Sequence, residues 1–203
     1  MIGIKTPIAL LILAIAGAWF VTRREFIAFP LAILAISMSS NINIGVRHIL
    51  PVYVPLSILA AIALSRAQWW SIALAAWMVI GSLAAHPDYI PWANAFAGRH
   101  PERIVLDSNF DWGQDVVRLR TACRREHVDT LATFLFGTTD QRQIGLPPYR
   151  PIDPYTHQTG WIAVSESAII PAQARDPVAY LWLTSGYRYQ RVGKTIRLYH
   201  VTN

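Results

Sequence analysis

Several things are scarce in this 203-residue chain, and each scarcity excludes a class of protein. There is one cysteine, Cys123, so neither an internal disulfide framework nor a cysteine-only metal site can form. Acidic residues are nearly missing from the first 85 positions, where Glu25 stands alone against Lys5, Arg23, Arg24, Arg47 and Arg66. The formal charge of +6 comes mostly from that imbalance. No basic run carries interleaved aromatics, so nucleic acid is not an expected partner. G-x-S-x-G, H-E-x-x-H, a P-loop and the Rossmann glycine set are all missing. The six histidines (His48, His86, His100, His127, His157, His200) show no metal-ligand spacing, so no metal and no cofactor is expected.

What is present divides near residue 85. Before it, charges separate four apolar windows, at about 6–22, 26–41, 49–65 and 67–85. Each is about as long as a bilayer-crossing helix requires, and none leaves a polar face for water. The reading is four transmembrane helices. Loop charge gives a weak vote for the orientation, placing Arg23, Arg24 and Arg66 on the cytoplasmic side. A polar segment, "SSNINIGVRHILP", separates the second and third windows and carries Arg47 beside His48. Arg at a membrane edge either snorkels to the interface or binds an anion. A guanidinium forks well onto phosphate oxygens.

Residues 86–100, "HPDYIPWANAFAGRH", read as an interfacial connector, and 101–203 as a small α/β domain. "RIVLDSN", "TLATFLFG" and "GWIAVSESAII" read as strands, and "YQRVGKTIRLYHV" as a hairpin around Gly193–Lys194. "WGQDVVRLRTACRREH" has helical spacing, with Trp112, Val116, Leu119 and Cys123 on one face. "DPVAYLWLTSG" reads as a second helix, closed by Gly186. The fold class is therefore a multi-pass α-helical membrane segment followed by a small α/β extracytoplasmic domain.

The densest polar stretch is "DSNFDWGQD", Asp107–Asp115. Asp107, Asn109 and Asp111 have the D-x-N-x-D spacing of a calcium loop, but Trp112 and Arg118 stand where Gly and Glu belong. Asp111 with Gln114 approximates a capping box, which makes the stretch a helix start. Asp107, Ser108 and Asn109, at the end of an expected strand, also sit where open α/β sheets bind ligands.

"NINIGVRHILPVYVPL", "HPDYIPWANAFAG", "DSNFDWGQDVVRL" and "FLFGT" resemble successive segments of bacterial family 39-like glycosyltransferases of the GT-C fold. One departure is that Asn94 precedes Phe96, where the usual form has Phe before Asn. The resemblance implies an integral-membrane enzyme of the cell's inner membrane that moves a sugar from a polyprenyl-phosphate donor to an extracytoplasmic acceptor. It implies membrane lipid and the polyprenyl-phosphate-linked sugar as partners. It places Arg47 and His48 at a lipid phosphate. Asp107, Asn109, Asp111, Trp112, Gln114 and Asp115 take a structural or acceptor-facing role. The family's catalytic carboxylate lies in an early extracytoplasmic loop of a longer protein, and no acid here stands in its place. No residue is therefore assigned as catalytic. The chain is expected to be the C-terminal part of such an enzyme, inactive without an N-terminal transmembrane part. The alternative is a non-catalytic membrane-anchored binding or remnant protein.

Overall fold

The computed structural model describes residues 1–39, 45–66, 68–138 and 140–202, with the side chain of Asp107 outside that description. It divides into two units, Met1–Pro101 and Glu102–Asn203.

The first unit is helical. A short helix α1 (Ile2–Lys5) leads through Pro7 into α2 (Ile8–Ala18). Then come α3 (Glu25–Ser39), a 3-10 segment Gly45–Val52 that runs directly into α4 (Tyr53–Leu64), and α5 (Trp69–Ala85). Leu13 of α2 packs on Ala60 and Ala63 of α4, all three buried. Gly17 allows this approach, because a Cβ built there would lie 1.8 Å from the Leu59 carbonyl oxygen. Small residues at such a crossing let two apolar helices touch backbone to backbone.

The four-span expectation fails here. Among the described residues, only Gly45–Leu64, 20 residues long, is long and apolar enough to cross a membrane. The others have 11, 15 and 17 residues. At 1.5 Å per residue they reach only about 16, 22 and 26 Å, against a hydrocarbon core of about 30 Å. Uncharged windows overstate helices because the backbone turns before the charges arrive. The first window breaks at Pro7, and the chain turns at Trp19–Phe20, ahead of Arg23. The multi-pass fold class is corrected accordingly. Residues 40–44 of the polar segment, and with them the end of the second window, lie outside the described residues.

The second unit is a five-stranded mixed sheet with helices on both faces. Helix α6 (Val116–Arg125) precedes β1 (Leu131–Phe134), β2 (Tyr149–Pro151) and β3 (Gly160–Ser165). Then follow α7 (Glu166–Arg175), α8 (Leu181–Gly186), β4 (Tyr189–Val192) and β5 (Ile196–Val201). The order is β2-β1-β3-β5-β4, with β2, β1 and β3 parallel and β5 antiparallel to both β3 and β4. Strand alternation sorts the core. Ala163 and Leu198 face α6, where Val116, Leu119 and Cys123 are buried. Ile162, Val164 and Tyr199 face the other way, onto Ile169 of α7 and Leu183 of α8.

The expected strand "RIVLDSN" is not a strand. It folds as two 3-10 turns, Pro101–Arg103 and Asp107–Asn109. Conversely, β2 forms inside "GLPPYRPIDPYTHQTG", residues 145–160, a stretch that its four prolines mark as a long loop in the sequence. It is a fully exposed edge strand, the position where proline is tolerated.

Candidate functional site

The "DSNFDWGQD" stretch is a knot of side-chain-to-backbone bonds, with the helix beginning only after it. Asp111 is buried and its Oδ1 accepts from Gly113 N at 2.8 Å. Gln114 Oε1 accepts from Trp112 N at 2.7 Å, and Gln114 Nε2 donates to Phe110 O at 3.0 Å. Trp112 Nε1 donates to Ser108 O at 2.6 Å while its ring stays half exposed. Asp111 and Gln114 therefore close a tight turn and do not cap a helix. Helix α6 starts at Val116, and Asp115 at its N-cap makes no side-chain cap bond.

Asp115 instead reaches the β4–β5 turn. Its Oδ2 accepts from Lys194 N at 2.8 Å, Thr195 N at 3.0 Å and Thr195 Oγ1 at 2.9 Å. Its Oδ1 accepts from Arg118 Nη1 at 2.7 Å. Gly193 is required twice over. Its φ is +61°, and a Cβ there would sit 2.0 Å from Asp115 Oδ1. The hairpin read from Gly193–Lys194 is thus held shut by a carboxylate 80 residues away.

The "FLFGT" stretch closes over the same place. Phe136 N donates to Ser165 Oγ at 3.0 Å, joining the carboxyl ends of the parallel strands β1 and β3. A Cβ on Gly137 would meet Gly113 N and Trp112 C at 3.4 Å, so the two loops touch. Burial pushes the Asp111 carboxyl above its usual range, and Asp115 adds to this. Gly113 N and the hydroxyls of Ser165 and Thr195 oppose the shift. Asp111 Oδ2 is buried and lacks a hydrogen bond of ordinary geometry, so the two hydroxyls act on it only weakly.

Next to this knot lies a charge cluster that the sequence reading missed. Glu166, fully buried at the start of α7, takes Arg197 in a fork, Nε to Oε1 at 2.8 Å and Nη2 to Oε2 at 2.7 Å. Arg191 Nη2 adds a bond to Oε1 at 2.9 Å and lies 3.5 Å from Glu102. Burial would lower the Arg197 pKa, but the Glu166 carboxylate outweighs it and holds the guanidinium more firmly charged. The available signal was an acid placed inside the apolar run "VSESAII".

Among the described residues, no three His, Cys, Asp or Glu side chains converge on a metal-sized site. Arg47 and His48 belong to the first unit, exposed on the 3-10 segment that opens the Gly45–Leu64 helix. The structure therefore gathers Asp111, Trp112, Gln114 and Asp115 at one sheet end, where Asp111 and Asp115 are buried behind the loops. Asn109 lies on the turn before them, half-buried.

The chain matches no family model, no curated protein and no solved structure.

Within the knot, Asp115 is engaged by two backbone amides, the Thr195 hydroxyl and Arg118, and Asp111 Oδ1 by Gly113 N. The ring of Trp112 is half exposed.

Proposed function

We propose that this chain is the C-terminal portion of a membrane glycosyltransferase that uses a polyprenyl-phosphate-linked sugar. The observation that carries the reading is the placement of Arg47 and His48. Both are exposed at the amino end of the one described helix long enough to cross a membrane. A guanidinium at that position is at interface depth, where a lipid phosphate would lie.

Two further facts support it. Helices α3 and α5 present Ile36, Met38, Trp69 and Leu83, each 70 % exposed or more, a surface that calls for lipid or protein cover. Residues 1–85 contain a single acid, Glu25, which lies 4.0 Å from Arg23 with its side chain 76 % exposed. Activation of an acceptor hydroxyl needs a base, so the catalytic carboxylate comes from an additional N-terminal part. The α/β unit then works on the outer face of the membrane, with Trp112 as its acceptor-facing ring.

A second reading, a non-catalytic binding protein, is favoured by the structural engagement of Asp115 and Glu166. Retention of a radiolabelled polyprenyl-phosphate sugar by the chain in neutral-detergent micelles separates the two. The proposal expects retention that Arg47→Ala reduces about tenfold. Equal retention by wild type and variant, or none by either, favours the second reading.

A further inference from the structure

At one end of the first unit two chain connections meet. Helix α2 closes at Trp19 and Phe20, and Arg23 and Arg24 follow before α3 begins at Glu25. Helix α4 closes at Leu64, and Arg66 follows before α5 begins at Trp69. The Arg66 guanidinium lies 4.6 Å from the centre of the Phe20 ring, which joins the two connections. Ala16, Leu64 and Trp70 pack on the buried Leu13, Ala60 and Ala63, so the ends of α2 and α4 lie beside the start of α5.

This end carries aromatic rings and positive charge together. Trp19 and Trp69 are 84 % and 80 % exposed, and Phe20 is exposed beside them in sequence. Arg23, Arg24 and Arg66 are exposed, against one acid, Glu25. Glu25 lies 4.0 Å from Arg23 with both side chains 76 % exposed, a pair that water largely screens. Among the described residues, no carboxylate pairs with Arg24 or Arg66. A contact with a ring face leaves the N–H groups of a guanidinium for an acceptor. Rings and guanidiniums in one shell suit the headgroup layer of a bilayer, where tryptophan meets the acyl boundary and arginine meets lipid phosphate.

We propose that this end docks in a bilayer leaflet rich in anionic lipid, with Trp19, Phe20 and Trp69 at the acyl boundary and Arg23, Arg24 and Arg66 on the headgroup phosphates. Two observations select a lipid surface. Three arginines against one acid are complementary to an anionic leaflet. Arg66 also stands two residues beyond Leu64, where the one described helix long enough to cross a membrane ends. Arg47 stands near the opposite end of that helix, so the two ends address different leaflets. The inference rests on membrane insertion of that helix, which the proposed function shares, and is independent of the sugar donor.

The test is native mass spectrometry of the full chain released from neutral-detergent micelles, titrated with phosphatidylglycerol and phosphatidylcholine of matched acyl chains. Phosphatidylglycerol is expected to be held at least tenfold more tightly. A basic side chain at an anionic lipid surface is worth about fivefold in affinity. Arg24→Gln should therefore weaken phosphatidylglycerol retention about fivefold, and the Arg23→Gln, Arg24→Gln, Arg66→Gln triple variant should bring it to the phosphatidylcholine level. Trp19→Ala with Trp69→Ala should weaken both lipids by a similar factor. Arg24→Gln alone decides the matter if the triple variant does not fold. Equal retention of the two lipids by the wild type, or phosphatidylglycerol retention unchanged by the arginine variants, would overturn the proposal. A dimer that replaces lipid retention and is lost with the tryptophan pair would also overturn it, making the surface a protein interface. Arg47→Ala should leave the lipid preference in place, and the arginine variants should leave retention of the sugar donor in place, so the two readings fail separately.

Discussion

Asp115 and Gly193 should be energetically coupled. Asp115→Ala removes a carboxylate that accepts three hydrogen bonds from Lys194 and Thr195 and one from Arg118. A hydrogen bond to a charged group is worth roughly 1.5–3 kcal/mol, and a buried donor left unpaired costs about 1–3 kcal/mol. Water reaches part of the emptied space, since Arg118 is more than a third exposed, so the loss is set at about 3–5 kcal/mol. A unit of this size has roughly 5–15 kcal/mol in all, and each kcal/mol moves Tm by about 4–8 °C. The variant should melt at least about 12 °C lower. Gly193→Ala should be similarly damaging, since its Cβ meets the carboxylate at 2.0 Å on top of the strain at φ +61°. In the double variant the collision is gone and only the backbone strain, about 1 kcal/mol, remains. The two costs should therefore fall short of additive by at least about 1 kcal/mol. Urea unfolding of the full chain, followed by far-UV circular dichroism and referred to the α/β unit's transition, measures all four corners. Strictly additive costs would refute the clamp.

Other consequences can be checked with the same protein. Because Asp111 holds its proton more tightly when folded, the folded state binds more protons between the usual carboxylate pKa and the raised one. Its contribution to stability is full below that window and falls as pH rises through it. Asp111→Asn should remove that decline, seen as a wild-type-minus-variant stability difference that falls as pH rises out of the usual carboxylate range. A flat difference would contradict it. Gly17→Ala should destabilise the helical unit by about 2 kcal/mol or more, because the added methyl collides with the Leu59 backbone. An unchanged melting point would show that α2 and α4 do not pack as described. Cys123 is buried, and burial pushes its thiol up to about 11. Iodoacetamide at pH 8 should therefore label it only after unfolding by urea, and rapid native labelling would argue against its burial between α6 and the sheet.

Much of the α/β unit is legible in the sequence because its signals are local. The alternation in "IRLYHV", the glycine turn at Gly193 and the Val116–Leu119–Cys123 stripe each depend on neighbours a few residues away. Strands β1 and β3 are read for the same reason, although the expected third strand runs on into what is helix α7 from Glu166. What is not legible depends on distance along the chain. Nothing local says that Asp115 serves Thr195, or that Glu166 at the start of α7 meets Arg197 of β5. The Asp107–Asp115 stretch therefore looks like a helix start or a binding loop, when most of its polar atoms close a turn or a hairpin. The helical unit misleads in another way. Charge spacing marks uncharged windows, while Pro7 and the Trp19–Phe20 turn decide where the helix inside the first window begins and ends.

The most direct test of the central claim is sugar transfer. Membranes carrying only this chain, and membranes also carrying an N-terminal helical part with an acidic extracytoplasmic loop, would be supplied with labelled polyprenyl-phosphate sugar. The account predicts no transfer by the chain alone, transfer when both parts are present, and loss of that transfer with Arg47→Ala. Transfer by this chain alone, or transfer by both parts that survives Arg47→Ala, would contradict it.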